Sequence, residues 1–286
     1  MCAVVLAAGI AVPRAAGQRP DGAGLDLTAA LVNIGQRVEA WYSRAQSIVS
    51  RETVSIQPLR ADLSPGASPR RLAYELRVAW DPSRPGPLGT PDVSVVRQPI
   101  RAGRGKPGRD EDPGCMDPKP VSPEPLAMFR PSRLAESAFS LAGTTRVNGR
   151  AALLIDYRGV AARPPAISWT KDCVTVELDG RSRGRLWVET ATYDVLRIDD
   201  RLAAPFEFDV PREYMRRGAA PTMVVERAET SIRYARVQFQ DPEESIMLPV
   251  SIDSLTVMRG TGVQRVRISQ RLSDHRRFLT EGRILD

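Results

Sequence analysis

Apolar positions divide the chain into one long helical segment followed by a series of strands. From Leu27 to Val49 they fall at Leu27, Leu31, Ile34, Val38, Trp41/Tyr42, Ala45 and Ile48/Val49. Steps of three and four place these side chains on one stripe of a helix. Asp26 or Thr28 supplies a cap for its start. A helix with a single apolar stripe requires a surface to lie on.

The rest of the pattern predicts that surface. Leu72, Tyr74, Leu76, Val78 and Trp80 are large apolar residues at every second position, the period of a strand. Thr53-Val54-Ser55-Ile56 alternates in the same way. Asn148-Gly149 is the pair that favours a tight hairpin turn, and it joins Phe139–Arg146 to Ala151–Tyr157. Gly184–Glu189 and Tyr193–Asp199 form a second hairpin. Glu229–Gln240, Ser245–Met258 and Gln264–Arg271 follow, divided by Asp241-Pro242 and Gly260-Thr261-Gly262. Long strands joined in order by short turns predict an α+β fold, mainly antiparallel β. The expected architecture is an open, unclosed β-barrel or strongly curved sheet, with the N-terminal amphipathic helix packed on its concave face.

Residues 82–125 break the pattern. Many of the chain's 24 prolines fall here, along with Arg101-Ala102-Gly103-Arg104-Gly105-Lys106 and Asp110-Glu111-Asp112. Proline removes backbone donors and glycine adds chain entropy, so a long loop is expected, with a short strand near Val93–Val96. Residues 18–286 then form a single β-rich domain carrying this insertion.

The first residues bear on compartment. Val4–Val12 is an apolar run too short to span a bilayer as a helix, and small residues follow it at Ala15 and Gly17. This is the pattern of a signal peptide over residues 1–17, although Met1-Cys2-Ala3 lacks the usual basic residue. The expected location is periplasmic or secreted; the alternative is an ordinary buried N-terminal element. No later segment predicts a transmembrane helix in the mature chain. Without Cys2, Cys115 and Cys173 remain, and an oxidising compartment favours a disulfide between them over two separate thiols.

Charge and chemistry narrow the functions. The net charge of +7 is almost wholly arginine, because Lys106, Lys119 and Lys171 are the only lysines. For an exported protein the matching polyanions are lipid head groups and envelope glycans, not nucleic acid, while a solvated basic surface is the plainer account. His275 is the only histidine and lies beside Asp274, Arg276 and Arg277, with no G-x-S-x-G elbow in the chain. HExxH, CxxC and P-loop motifs are absent, and zinc sites built on several histidines are excluded. Neither a metal nor a cofactor is expected. Asp110, Glu111, Asp112 and Asp117 offer oxygen ligands for calcium without EF-hand spacing, so a solvated acidic loop is the default. Asp199 and Asp200 are adjacent on a strand and should face opposite ways; Glu243-Glu244 should lie in a turn. Neither pair is placed for two-carboxylate chemistry.

One stretch carries a family likeness. Gly184-Arg185-Leu186-Trp187-Val188-Glu189 leads through a turn into Val195-Leu196-Arg197, and Met247-Leu248-Pro249-Val250 enters a late strand. With the first helix and the long strands, this resembles the periplasmic lipoprotein-carrier superfamily of LolA, LolB and outer-membrane lipoprotein-sorting relatives. In that group a strand ends W-V/I-D; here Glu189 stands for the aspartate. The resemblance implies an unclosed barrel with a helical lid and an apolar concavity that holds acyl chains. It makes a non-enzymatic envelope protein the first functional expectation, with a lipid, lipoprotein or other hydrophobic ligand. Trp41, Tyr74, Trp80, Phe129 and Trp187 are the candidate ligand-binding side chains. A structural or protein-interaction module with an envelope protein partner is the alternative. A carboxylate-based hydrolase is the third.

Overall fold

The computed structural model describes residues 26–45, 47–85, 91–100, 124–170, 173–215, 220–240, 243–260 and 262–277. Helix α1 (Leu27–Arg44) leads into strands β1 (Ser47–Pro58), β2 (Arg70–Pro85) and β3 (Pro91–Pro99). A single turn, α2 (Glu124–Ala127), precedes β4 (Ser137–Val147), β5 (Arg150–Gly159), β6 (Ala166–Trp169) and β7 (Val174–Glu177). The remaining strands are β8 (Ser182–Glu189), β9 (Val195–Leu202), β10 (Phe206–Asp209), β11 (Thr222–Gln240), β12 (Glu243–Arg259) and β13 (Val263–Arg277).

Eleven strands form one antiparallel sheet in the order β3-β2-β1-β13-β12-β11-β9-β8-β5-β4, with β10 paired to β11 off this path. β6 and β7 make a separate hairpin. The large sheet is curved and unclosed, as the alternating pattern predicts. It is not a simple meander, because the first strand, β1, pairs with the last, β13, in mid-sheet. The link between β3 and β4 then carries the chain to the opposite edge.

Local chemistry explains the element boundaries. Asp26 caps α1, its carboxylate accepting the Thr28 N–H at 2.9 Å. The helix stops at Arg44, short of the apolar stripe's last members. Ile48 and Val49 are β-branched or paired into β1 instead, where Ile48 lies opposite Val78 of β2 and Arg277 of β13. At the β4–β5 turn Asn148 and Gly149 both take left-handed φ values, 49° and 80°, matching the twist of the flanking strands.

The core lies between α1 and the sheet. Ala30, Ile34, Val38 and Tyr42 recur every four residues and are buried against Leu153, Ile155, Leu186, Val188, Leu196, Ile198 and Ile232. Full burial of Ile34 alone is worth about 2–3 kcal/mol. Leu126 of α2 and Phe129, just after it, join the same cluster, and the Phe129 carbonyl presses on the helix at Gly35. A second cluster at the helix C-terminus unites Ala45, Ile48, Phe239, Ile246 and Leu248.

Candidate functional site

One rim of α1 is polar. Arg37, Trp41 and Arg44 are spaced four and three apart, so they share a stripe adjoining the buried one. Arg37 donates through Nε and, at 3.3 Å, through Nη2 to the two oxygens of Asp194. Arg236 of β11 donates to the same carboxylate at 2.8 Å and lies 3.5 Å from Glu189. Asp194 is 4% exposed, whereas Arg37 and Arg236 are 36% and 38% exposed. The bond to Asp194 raises the Arg37 pKa above its ordinary value, so the pair stays charged.

The β8–β9 turn sets this carboxylate in place. Tyr193 takes a left-handed φ of 58°, and its N–H returns to the Glu189 carbonyl at 2.9 Å. Thr192 Oγ1 accepts the Asp194 N–H and donates to Glu189. Both acids of the turn thereby face Arg236 on the neighbouring strand.

Farther along α1, Arg44 donates to Glu244 Oε2 from Nε and Nη2 at 3.2 and 3.1 Å, and to the Ser245 carbonyl at 3.0 Å. Arg277 also pairs with Glu244 and donates to the Arg44 carbonyl at 2.6 Å. Burial and the nearby Arg44 charge push the Arg277 pKa down. The Trp41 indole N–H reaches the Met247 carbonyl at 2.5 Å. Between these groups lies a small, partly open notch lined by Arg37, Trp41, Arg44, Asp194, Ser245 and Met247. The Ser245 hydroxyl is buried without a hydrogen-bond partner among the described residues.

The candidate ligand-binding residues are distributed over three places. Trp41 forms a wall of the notch and meets the edge of Tyr42 at 5.2 Å. Phe129 is fully buried beside α1 and stacks on Phe139 at 5.8 Å. Tyr74 is buried in a separate cluster with Val54, Ile56 and Leu72, beneath the Arg97 guanidinium at 5.0 Å. Trp187 pairs across the sheet with Arg197 and lies 4.6 Å beneath its guanidinium, on the face opposite Leu186 and Ile198. The Trp80 side chain lies outside the described residues, although its backbone is in β2. The structure thus brings Trp41, Phe129 and Trp187 to one core cluster, Trp187 from its margin, and leaves Tyr74 in another. Cys173 is disulfide-bonded; Cys115, Asp110, Glu111, Asp112 and Asp117 lie outside the described residues, as does the apolar run Val4–Val12.

Other polar groups are held in pairs. Asp199 accepts from Arg197 and Ser231, while Asp200, on the other face, accepts from Tyr157, so the two acids diverge as strand geometry predicts. Burial raises the Asp200 pKa, and the same environment pushes the Tyr157 hydroxyl up. Gly184 permits this contact, since a Cβ there would come within 2.6 Å of Tyr157 Oη. Glu244, expected in a turn, instead opens β12 and serves as the anchor for Arg44 and Arg277. Burial lowers the His275 pKa. Among the described residues no group of three or more His, Cys, Asp or Glu could hold a metal ion. No helix among them is long and apolar enough to cross a membrane. The arginine notch escaped sequence reasoning, because its members come from α1, the β8–β9 turn, β11 and β12. The only local signal was the pair of arginines flanking Trp41.

No family model and no curated protein matches the chain. Among solved structures it is similar to a DUF1329 family protein from Desulfovibrio piger, at 12% identity and a TM-score of 0.42, covering 90% of this chain and 95% of that one. It is also similar to a putative outer membrane lipoprotein-sorting protein domain from Vibrio parahaemolyticus, at 10% identity and a TM-score of 0.39, covering 87% and 92%. A LolA superfamily protein from Nitrosomonas europaea is similar at 10% identity and a TM-score of 0.33, covering 86% and 94%.

Proposed function

We propose that this is a non-enzymatic cell-envelope protein that takes a hydrophobic ligand, of the acyl-chain class, between α1 and the open sheet. The observation that carries this reading is the way the helix is held. Its underside rests on an apolar bed drawn from β5, β8, β9 and β11, while its rim is tied down by arginine–carboxylate pairs. Apolar contact is non-directional, so the same bed accepts a hydrocarbon chain in place of helix side chains. The arginines of these pairs are more than a third exposed and can turn to water, which suits a latch that opens from their side. Trp41 and Phe129 flank this interface and are the aromatic side chains proposed to meet the ligand.

Envelope location rests on the Val4–Val12 run and on cysteine use. The Cys115–Cys173 bridge belongs to the same proposal, and peptide mapping without reductant tests it. The hydrophobic-ligand reading is tested by titrating a fluorescent long-chain fatty acid while following hydrogen exchange. Saturable uptake with altered protection in residues 27–44 supports it. Absence of uptake refutes it.

A second reading, a protein-interaction module, is favoured by β4. This edge strand carries no charged side chain from Ser137 to Thr145, and among the described residues no strand pairs with its outer side. Uncharged edges are templates for an added strand. Failure of probe uptake would make this reading the stronger.

A further inference from the structure

The charged network around the notch at the rim of α1 holds more cationic groups than carboxylates. Arg37, Arg44, Arg236 and Arg277 converge on Asp194, Glu189 and Glu244, and Arg150 adds a further charge 3.7 Å from Glu189. Arg37 and Arg44 each engage their carboxylate through Nε and Nη2, which leaves Nη1 without a partner among the described residues. Arg277 already feels this crowding, since burial and Arg44 both lower its pKa. An anion in the notch relieves the repulsion and satisfies these donors together.

The notch is also continuous with the apolar bed. Met247 lines the notch and belongs to the cluster beneath α1, and Trp41 packs against that cluster from the notch wall. A ligand with its chain under the helix therefore has its polar end here. We infer that the rim of the notch binds the oxyanion of an anionic amphiphile, a carboxylate or phosphate, gripped by the part-exposed Arg37 and Arg44. Planar guanidinium groups match these oxyanions in geometry as well as charge. The inference rests on the acyl-chain reading and adds the chemistry of the head group.

The test uses the full chain with cis-parinaric acid, a fluorescent fatty acid with a free carboxylate, and with its neutral methyl ester. At pH 7.5 the acid is expected to bind roughly tenfold or more tightly than the ester, the worth of a charged hydrogen-bonded contact. Arg44→Gln should bring the acid-to-ester ratio close to one. Arg271→Gln, a surface arginine paired with Asp253 away from the notch, should retain it. Equal binding of acid and ester by the unaltered protein overturns the inference and leaves the acyl-chain reading standing. Inorganic phosphate that displaces the acid but not the ester shows that a free oxyanion suffices for the notch. If phosphate does not displace the acid while its advantage persists, the site belongs to the head group. If neither probe binds, the acyl-chain reading and the amphiphile both fall. Thermal stabilisation by phosphate, lost in Arg44→Gln, would then assign the notch to a free anion.

Discussion

Gly35 of α1 lies directly against the backbone carbonyl of Phe129: a Cβ on Gly35 would stand 2.8 Å from that oxygen. Glycine inside a helix is ordinarily about 1 kcal/mol worse than alanine, so its presence here reflects the approach of the Phe129 segment. Gly35→Ala should reverse the usual sign and destabilise by about 1–3 kcal/mol, because the segment or the helix must shift. Urea unfolding measures this, and a stabilised variant would mean that the segment is not seated on the helix.

Asp194 ties α1 to the sheet through Arg37 and Arg236. Asp194→Ala should lower stability by about 2 kcal/mol, within the range for hydrogen bonds to charged groups. The cost stays moderate because the released arginines are half exposed and turn to water. Exchange of the α1 amides should quicken more than that of β12 and β13. Uniform quickening across the sheet would contradict the latch role.

Asp200 predicts a pH dependence. Burial raises its pKa in the folded state, so folding favours the protonated acid. Its stabilising contribution is complete below the unfolded carboxylate range and is lost as pH rises through the folded value. At pH 7, above the unfolded carboxylate range, the buried acid is a burden that Asp200→Asn removes, while the amide oxygen still accepts from Tyr157. The variant should melt about 2–4 °C higher at pH 7, with the gain shrinking toward pH 4. A gain that grows in acid would refute this assignment.

Glu52 is fully buried in β1 and accepts from Arg97 at 2.8 and 3.0 Å and from Gln270 at 2.7 Å. These bonds join β1 to β3 and β13 beneath the sheet surface. Glu52→Ala would take from Arg97, which is 10% exposed, the carboxylate that balances its charge, and should destabilise by about 3–5 kcal/mol. A loss under about 1 kcal/mol would show that the neighbouring groups rehydrate freely.

Much of this fold was legible in local pattern. The alternation from Leu72 to Trp80 and the Asn148-Gly149 pair report contacts a few residues apart, and β2 and the β4–β5 hairpin follow them. The helical stripe ran on to Val49 only because Ile48 fits both periods; pairing with Val78 and Arg277 decided for the strand. Phe206–Asp209 is too short to show a period, so β10 had no signal. Pairing of β1 with β13 joins residues more than 200 apart, and no periodicity encodes it. The notch was hidden for the same reason: Arg37 and Arg44 look like a solvated helix face until Asp194 and Glu244 are brought to them. Trp187 shows a contact of the same hidden kind, since its stacking with Arg197 follows from the β8–β9 register.

The central claim is that α1 covers a bed able to take an acyl chain, and native mass spectrometry of the protein from a periplasmic fraction tests it most directly. The account predicts a reproducible added mass that organic extraction resolves into acyl-chain amphiphiles with anionic head groups. A bare protein mass, together with no uptake of a fluorescent fatty acid, would contradict it.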